Sequence, residues 1–144
     1  MSKNIVLVTG GFDPIHSGHI SYFLFAQKLG DQLVVGLNSD DWLIRKKGKF
    51  FMEYDERASV VAALKPVTSV FSFNDSDNTA IDAIRQALRN FPNDHIIFAN
   101  GGDRGKDNIP EMAFESPRVS FAFGIGGSDK KNSSSWILKT WEQK

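Results

Sequence analysis

The stretch Val6-Leu7-Val8-Thr9-Gly10-Gly11-Phe12-Asp13-Pro14-Ile15-His16-Ser17-Gly18-His19 restricts this chain more than any other. The apolar run at residues 5–8 lacks the alternation of a half-solvated strand and is too short for a helix. It reads as a strand covered on both faces. Such a strand needs parallel neighbours and helices on either side, which commits the chain to an α/β architecture. Gly10-Gly11 breaks the strand, and glycine allows both positive φ and close approach of a ligand to the backbone. An amphipathic segment begins directly behind it. Its first turn presents unpaired N–H groups and a partial positive charge, a setting that favours phosphate.

From Gly18 the apolar positions Ile20, Phe23 and Leu24 recur at helical spacing, joined by Tyr22, Ala26 and Leu29, and Gly30-Asp31 stops the helix. Leu33-Val34-Val35-Gly36-Leu37 is a second buried strand, so the first 37 residues form a βαβ unit with a right-handed crossover. Asn38-Ser39-Asp40-Asp41 offers caps for a short helical turn through Trp42, Leu43 and Ile44. Arg45-Lys46-Lys47-Gly48-Lys49 reads as an exposed basic loop, with Phe50, Phe51 and Met52 as an apolar patch behind it. A helix opens at Asp55-Glu56 and is closed by Pro66. Residues 67–73 form a third strand, 74–78 a polar turn, and Ile81, Ile84, Leu88 and Phe91 mark an amphipathic helix. Strands at 95–99 and 119–123 follow, then a glycine- and serine-rich loop. A terminal helix carries Trp136 and Trp141, both expected to pack it against the core. The pattern predicts an α/β, Rossmann-like three-layer sandwich with a five-stranded parallel sheet, residues 1–144 forming a single domain.

Composition narrows the function classes. With 17 basic and 17 acidic residues the net charge is zero, which disfavours a nucleic-acid partner. The chain has no cysteine, so disulfides, thiolate metal sites and cysteine nucleophiles are excluded. No apolar stretch reaches the ~18–20 residues of a membrane span. The cytoplasm is the expected compartment, with no membrane partner.

Ligands of parallel α/β sheets bind at the carboxyl ends of the strands. Here four such ends carry chemistry: Gly10-Gly11 with His16 and His19, Asn38-Ser39-Asp40 with the basic cluster, Gly101-Gly102-Asp103-Arg104, and the loop ending in Ser133-Ser134-Ser135. Two histidines three apart at a helix start can face one ligand and donate to phosphoryl oxygens. A lone histidine most often caps or packs. Strand, turn and helix context together favour the ligand reading for this pair.

These motifs carry a resemblance. Gly11-Phe12-Asp13-Pro14-Ile15-His16-Ser17-Gly18-His19 resembles the first motif of the HxGH nucleotidyltransferase superfamily, in its cytidylyltransferase-like branch. Arg45-Lys46-Lys47-Gly48-Lys49 resembles the branch's basic loop, and Tyr54-Asp55-Glu56-Arg57 its E-x-R helix start. Gly101-Gly102-Asp103 resembles the loop of heptose-phosphate adenylyltransferases, and Ser133-Ser134-Ser135-Trp136-Ile137 the S-[ST]-[ST]-x-I motif. Glycerol-3-phosphate cytidylyltransferases share the overall layout. The resemblance implies transfer of CMP, with AMP as the second choice, from CTP or ATP to a small phosphorylated metabolite, releasing pyrophosphate. An ionised phosphate monoester attacks without a strong general base, which leaves the protein alignment and charge neutralisation.

By the same resemblance His16, His19, Lys47 and Arg57 are catalytic, His16 and His19 contacting the triphosphate. Gly10, Gly11, Phe12, Asp13, Gly18, Lys49, Gly102, Asp103, Ser133, Ser134 and Ser135 bind nucleotide, the start of the terminal helix holding the β- and γ-phosphates. Mg2+ held mainly by the triphosphate is the implied cofactor, and a homodimer the implied assembly. Three departures stand out. Gly11 replaces a common threonine, Thr68 stands where aspartate is frequent, and Lys130 or Lys131 takes the place of an arginine. The departures at Gly11 and in the loop from Gly124 to Asn132 motivate an alternative of another class, a nucleotide-binding regulatory module without catalysis.

Overall fold

The computed structural model describes residues 2–101, 109–125 and 133–144. Five strands form one sheet: β1 (Asn4–Gly10), β2 (Gln32–Leu37), β3 (Ser69–Ser72), β4 (His95–Gly101) and β5 (Val119–Ile125). All neighbours are parallel, in the order β3-β2-β1-β4-β5. The helices are α1 (Ser17–Gln27), α2 (Asp40–Lys47), α3 (Tyr54–Ala62), α4 (Ile81–Asn90) and α5 (Ser134–Glu142). A 3₁₀ turn lies at Pro110–Ala113.

β1 lies in the middle of the sheet, Leu7 opposite Val34 on one side and Phe98 on the other. Residues Ile5, Val6, Leu7 and Val8 are fully buried. Ile5 and Leu7 join a core with Ala83, Ile84 and Ala87 of α4. Val6 and Val8 join the opposite core with Phe23 and Ala26 of α1 and Val61 of α3. This two-sided packing is what an unbroken apolar run demands. Each such side chain contributes about 1.5–3 kcal/mol relative to exposure. From β1 the chain runs outward through β2 and β3, then returns to add β4 and β5 on the other side. The carboxyl ends of β1 and β4 therefore flank the point where the order reverses, the place where such sheets open a crevice.

Local details depart from the sequence reading in four places. The basic cluster is not a loop: α2 extends to Lys47 and takes Arg45, Lys46 and Lys47 into its last turn. Ser39 caps the helix by accepting from the Trp42 amide at 3.1 Å, and cations at the far end suit the helix dipole. Gly48, at φ 89°, closes it in the left-handed conformation. Gly30 acts through packing, since a Cβ there would lie 2.6 Å from the Asn4 carbonyl oxygen. The third strand is only Ser69–Ser72, a short edge. The tryptophans of α5 do not pack into the core: the helix buries no residue, and Trp136 and Trp141 are 53% and 66% exposed. No described helix is long and apolar enough to cross a membrane.

Candidate functional site

The connection from β1 to α1 is built by packing before any ligand is considered. Positive φ falls on Phe12, at 51°, and not on either glycine of the pair. Gly10 is small because a Cβ would sit 2.8 Å from the Phe12 ring, and Gly11 because a Cβ would sit 2.8 Å from Leu43 Cδ2. Phe12 is buried, edge-on to Phe23 at 5.1 Å and to His19 at 4.9 Å. It plugs the core beneath the turn. Asp13 is buried too. Its carboxylate accepts from the amides of Phe51 at 2.6 Å and Met52 at 2.7 Å, so it latches the segment after α2 onto the turn. Its carbonyl accepts from Lys47 Nζ at 3.1 Å.

His16 and His19 form a reciprocal capping box at the start of α1. His16 Nδ1 accepts from the Gly18 amide at 3.0 Å, and His19 Nδ1 accepts from the His16 amide at 3.2 Å. The rings stack with centroids 3.8 Å apart. With Nδ1 of each ring accepting a backbone proton, the neutral tautomer of both carries its proton on Nε2. Burial, followed by the neighbouring His16 and then Lys47, lowers the pKa of His19 to about 3. His19 is therefore a neutral hydrogen-bond donor at any ordinary pH. The Gly18 amide is committed to the cap.

Arg57, expected to help orient phosphate or the basic segment, is fully buried under the strand ends. Its Nε donates to Met52 O at 2.9 Å, Nη1 to both Gly11 O and Asn38 O at 2.9 Å, and Nη2 to Asp40 Oδ1 at 2.7 Å. The planar fork ties the ends of β1 and β2 and the starts of α2 and α3 into one frame, a task lysine cannot copy. Arg57 positions the site and does not line it. Asp75, which the sequence reading passed over inside a polar turn, is a second tie. It accepts from Asn38 Nδ2 at 3.0 Å and from the amide and hydroxyl of Ser39, each at 2.8 Å. Arg45 Nη2 stands 3.7 Å from its carboxylate. Tyr22, also missed, donates its hydroxyl to Ala99 O at 2.7 Å and fastens α1 to β4. Burial after folding singles these residues out, and no spacing rule signals it.

The serine motif divides its labour. Ser133 caps α5, accepting from the Trp136 amide at 3.0 Å, and Ser134 donates to Pro14 O at 2.7 Å, docking α5 on the β1–α1 turn. Ser135 is exposed and faces a cleft of about 680 Å³ between α5 and the segment after α2. Lys49 lies on that cleft, 3.9 Å from Glu142. Gly102 and Asp103 lie outside the described residues. The structure thus gathers His16, His19, Lys47 and the start of α5 around one turn. Gly10, Gly11, Phe12, Asp13 and Gly18 lie in that turn or beside it, and Arg57 is buried beneath it. Two imidazole donors, a lysine and a helix start make a surface for phosphoryl oxygens. Among the described residues no group of three or more histidine, aspartate or glutamate side chains is placed to hold a metal ion.

Known proteins resemble this chain consistently. The family model described as cytidylyltransferase-like matches residues 7–108. "Bifunctional protein HldE" of Syntrophotalea carbinolica is 34% identical over 98% of this chain and 28% of its own length. The HldE of Geobacter sulfurreducens is 32% identical over 96% and 28%. The chain thus spans little more than a quarter of these relatives. Among solved structures, the lipopolysaccharide core biosynthesis protein from Thermoplasma volcanium superposes with a TM-score of 0.63 at 24% identity, over 91% of this chain and 100% of that one. A bifunctional NMN adenylyltransferase/ADP ribose pyrophosphatase from Francisella tularensis superposes with a TM-score of 0.68 at 14% identity, over 100% and 43%. At these identities the structural likeness speaks for the fold.

Proposed function

This chain belongs to the cytidylyltransferase-like family of nucleotidyltransferases, and from that premise we propose that it transfers AMP from ATP to a small sugar phosphate, releasing pyrophosphate. The two curated relatives named above, both HldE proteins, favour this reading over the CMP transfer expected first. The resemblance of Gly101-Gly102-Asp103 to heptose-phosphate adenylyltransferases supports the same choice.

In the proposed reaction an oxygen of the acceptor's ionised phosphate attacks the α-phosphorus. A new P–O bond forms, the bond from the α-phosphorus to the bridging oxygen breaks, and pyrophosphate leaves with the electron pair. No proton has to be removed, so the site needs donors and cations and no base. The observation that carries this reading is the histidine pair: two stacked imidazoles whose Nδ1 atoms accept from backbone amides, which assigns the proton of each neutral ring to Nε2. Their Nε2–H groups donate to the oxygens of the phosphoryl group in transfer, and Lys47 adds charge beside them. Arg57 acts indirectly, by holding the turn. Magnesium enters as the counterion of the nucleotide, so the substrate is MgATP.

The test is pyrophosphate release from MgATP and MgCTP across a panel of sugar phosphates, glycerol phosphate and choline phosphate. Turnover with ATP and a sugar phosphate is expected. His16→Ala and His19→Ala should each lower kcat by about 10²–10³, the usual loss of a transition-state donor. Full turnover in both variants would refute the mechanism. Nucleotide binding without pyrophosphate release on any acceptor would instead favour the regulatory module. We propose a homodimer as the assembly, on family resemblance and the exposed Phe50 and Phe51. Sedimentation at micromolar concentration tests it.

A further inference from the structure

Arg45, Lys46 and Lys47 end α2 side by side, and each has a different neighbour. Successive residues on a helix turn through about 100°, so Arg45 and Lys47 leave α2 on nearly opposite sides. Lys47 Nζ donates to Asp13 O at 3.1 Å, close enough to the histidine pair for its charge to be felt at His19. Lys46 Nζ lies over the Trp42 ring, 4.6 Å from its centroid. Arg45 turns to the 75–78 segment between β3 and α4. Its Nε donates to Asn78 Oδ1 at 3.1 Å and its Nη2 to Asp75 O at 2.7 Å. That segment is itself a closed turn. The Asn78 amide donates to Asp75 O at 2.9 Å, and Asn78 sits at φ 65°, a conformation asparagine adopts more readily than most residues. The buried carboxylate of Asp75 holds the other end of the same helix, through the amide and hydroxyl of its N-cap Ser39. One turn thus grips α2 at both ends.

We propose that Arg45 is a positioning residue: with Asp75 and Asn78 it fixes the rotation of α2 about its axis, and so aims Lys47 at the histidine turn. The inference rests on the nucleotidyl-transfer reading for what Lys47 does there. It goes beyond that reading by separating Arg45 from the cations of the cluster that face substrate. The helix has little else to resist turning, since Leu43 is its one buried residue. A small rotation moves the tip of a long side chain farthest, so Lys47 is the group most exposed to such an error. The guanidinium is suited to the task because its planar fork reaches two acceptors in fixed directions, which a single ammonium does not. A charge displaced by a fraction of an ångström from a reacting phosphoryl group loses much of its value.

Arg45 is partly exposed, so replacing it leaves the core in place, which urea unfolding checks. Arg45→Ala should lower kcat by about three- to tenfold with little change in the KM for MgATP, and should add nothing in a Lys47→Ala background. Arg45→Lys should behave as Arg45→Ala does, because charge without the fork does not hold the helix. Asn78→Gly keeps the left-handed turn and removes the side-chain acceptor, so a smaller fall with the same background dependence is expected. A second readout needs no turnover: the rate at which an amine reagent modifies Lys47, read by mass spectrometry against exposed Lys3 at the far end of β1. Arg45→Ala should raise that rate about two- to fivefold by loosening the bond to Asp13 O. Unchanged labelling in Arg45→Ala, wild-type kcat in Arg45→Lys, or an Arg45→Ala loss of equal size in both backgrounds overturns the proposal. The expected labelling in a protein without turnover would defeat the nucleotidyl-transfer reading and leave the positioning role standing. Turnover with unchanged labelling would do the reverse.

Discussion

A histidine that stays neutral leaves a thermodynamic trace. The pKa of His19 is about 3 in the fold, against 6.5 for a free side chain, mainly because burial disfavours its charged form. Between those values the unfolded chain binds a proton that the native ring does not. Stability therefore rises with pH from about 3 to about 6.5 through this group, and is independent of it above. Acidification is the destabilising direction. Urea midpoints of wild type and His19→Gln, compared from pH 4 to pH 7, should show the steeper slope in wild type. Parallel slopes would mean that the native ring takes up the proton after all. The two histidines were legible as ligand candidates from their spacing. Their capping bonds were not, because only the folded turn brings the amides of Gly18 and His16 to the two Nδ1 atoms.

Helices and loops in this protein are held at the site by single polar groups. Arg57 meets three carbonyls and one carboxylate, and removing it leaves all four without their partner. Arg57→Ala should cost about 3–5 kcal/mol in urea unfolding, as expected for breaking a buried pair. Arg57→Lys should recover little of that, since one ammonium cannot span the same acceptors. Asp13→Asn is a milder test of the latch. A loss of about 1–3 kcal/mol is expected, with faster hydrogen exchange at the amides of Phe51 and Met52. Unaltered exchange there would show that the segment after α2 is held by other contacts. At this scale the sequence located nearly every element and misjudged ends. The basic residues looked like a loop because charge runs are usually solvated. In fact a serine cap, a favourable dipole and Gly48 extend the helix through them.

Across the whole molecule, ligand binding should act as a stabiliser. A nucleotide at one hundred times its Kd adds about 2.7 kcal/mol to a fold that binds it only in the native state. Thermal unfolding with MgATP and MgCTP therefore ranks the two nucleotides directly. A larger upward shift with MgATP is expected. A larger shift with MgCTP would return the reading to CMP transfer. The size of the shift depends on the nucleotide's concentration relative to its Kd, not on where in the fold the site lies.

What the sequence determined by itself was the repetitive part: strands buried on both faces, helices between them, parallel order, and a glycine-broken turn after the first strand that carries two histidines. Those features follow from local periodicity and from glycines and caps at fixed offsets, which need no knowledge of distant residues. The tertiary structure decided the assignments within that frame. Phe12 and Asp13 became packing and latch, Arg57 a clamp, Asp75 and Tyr22 ties, and Trp136 and Trp141 surface. Each of those outcomes depends on which groups share a buried space after the chain has closed. A side chain's role as ligand or scaffold is set by the partners that burial supplies.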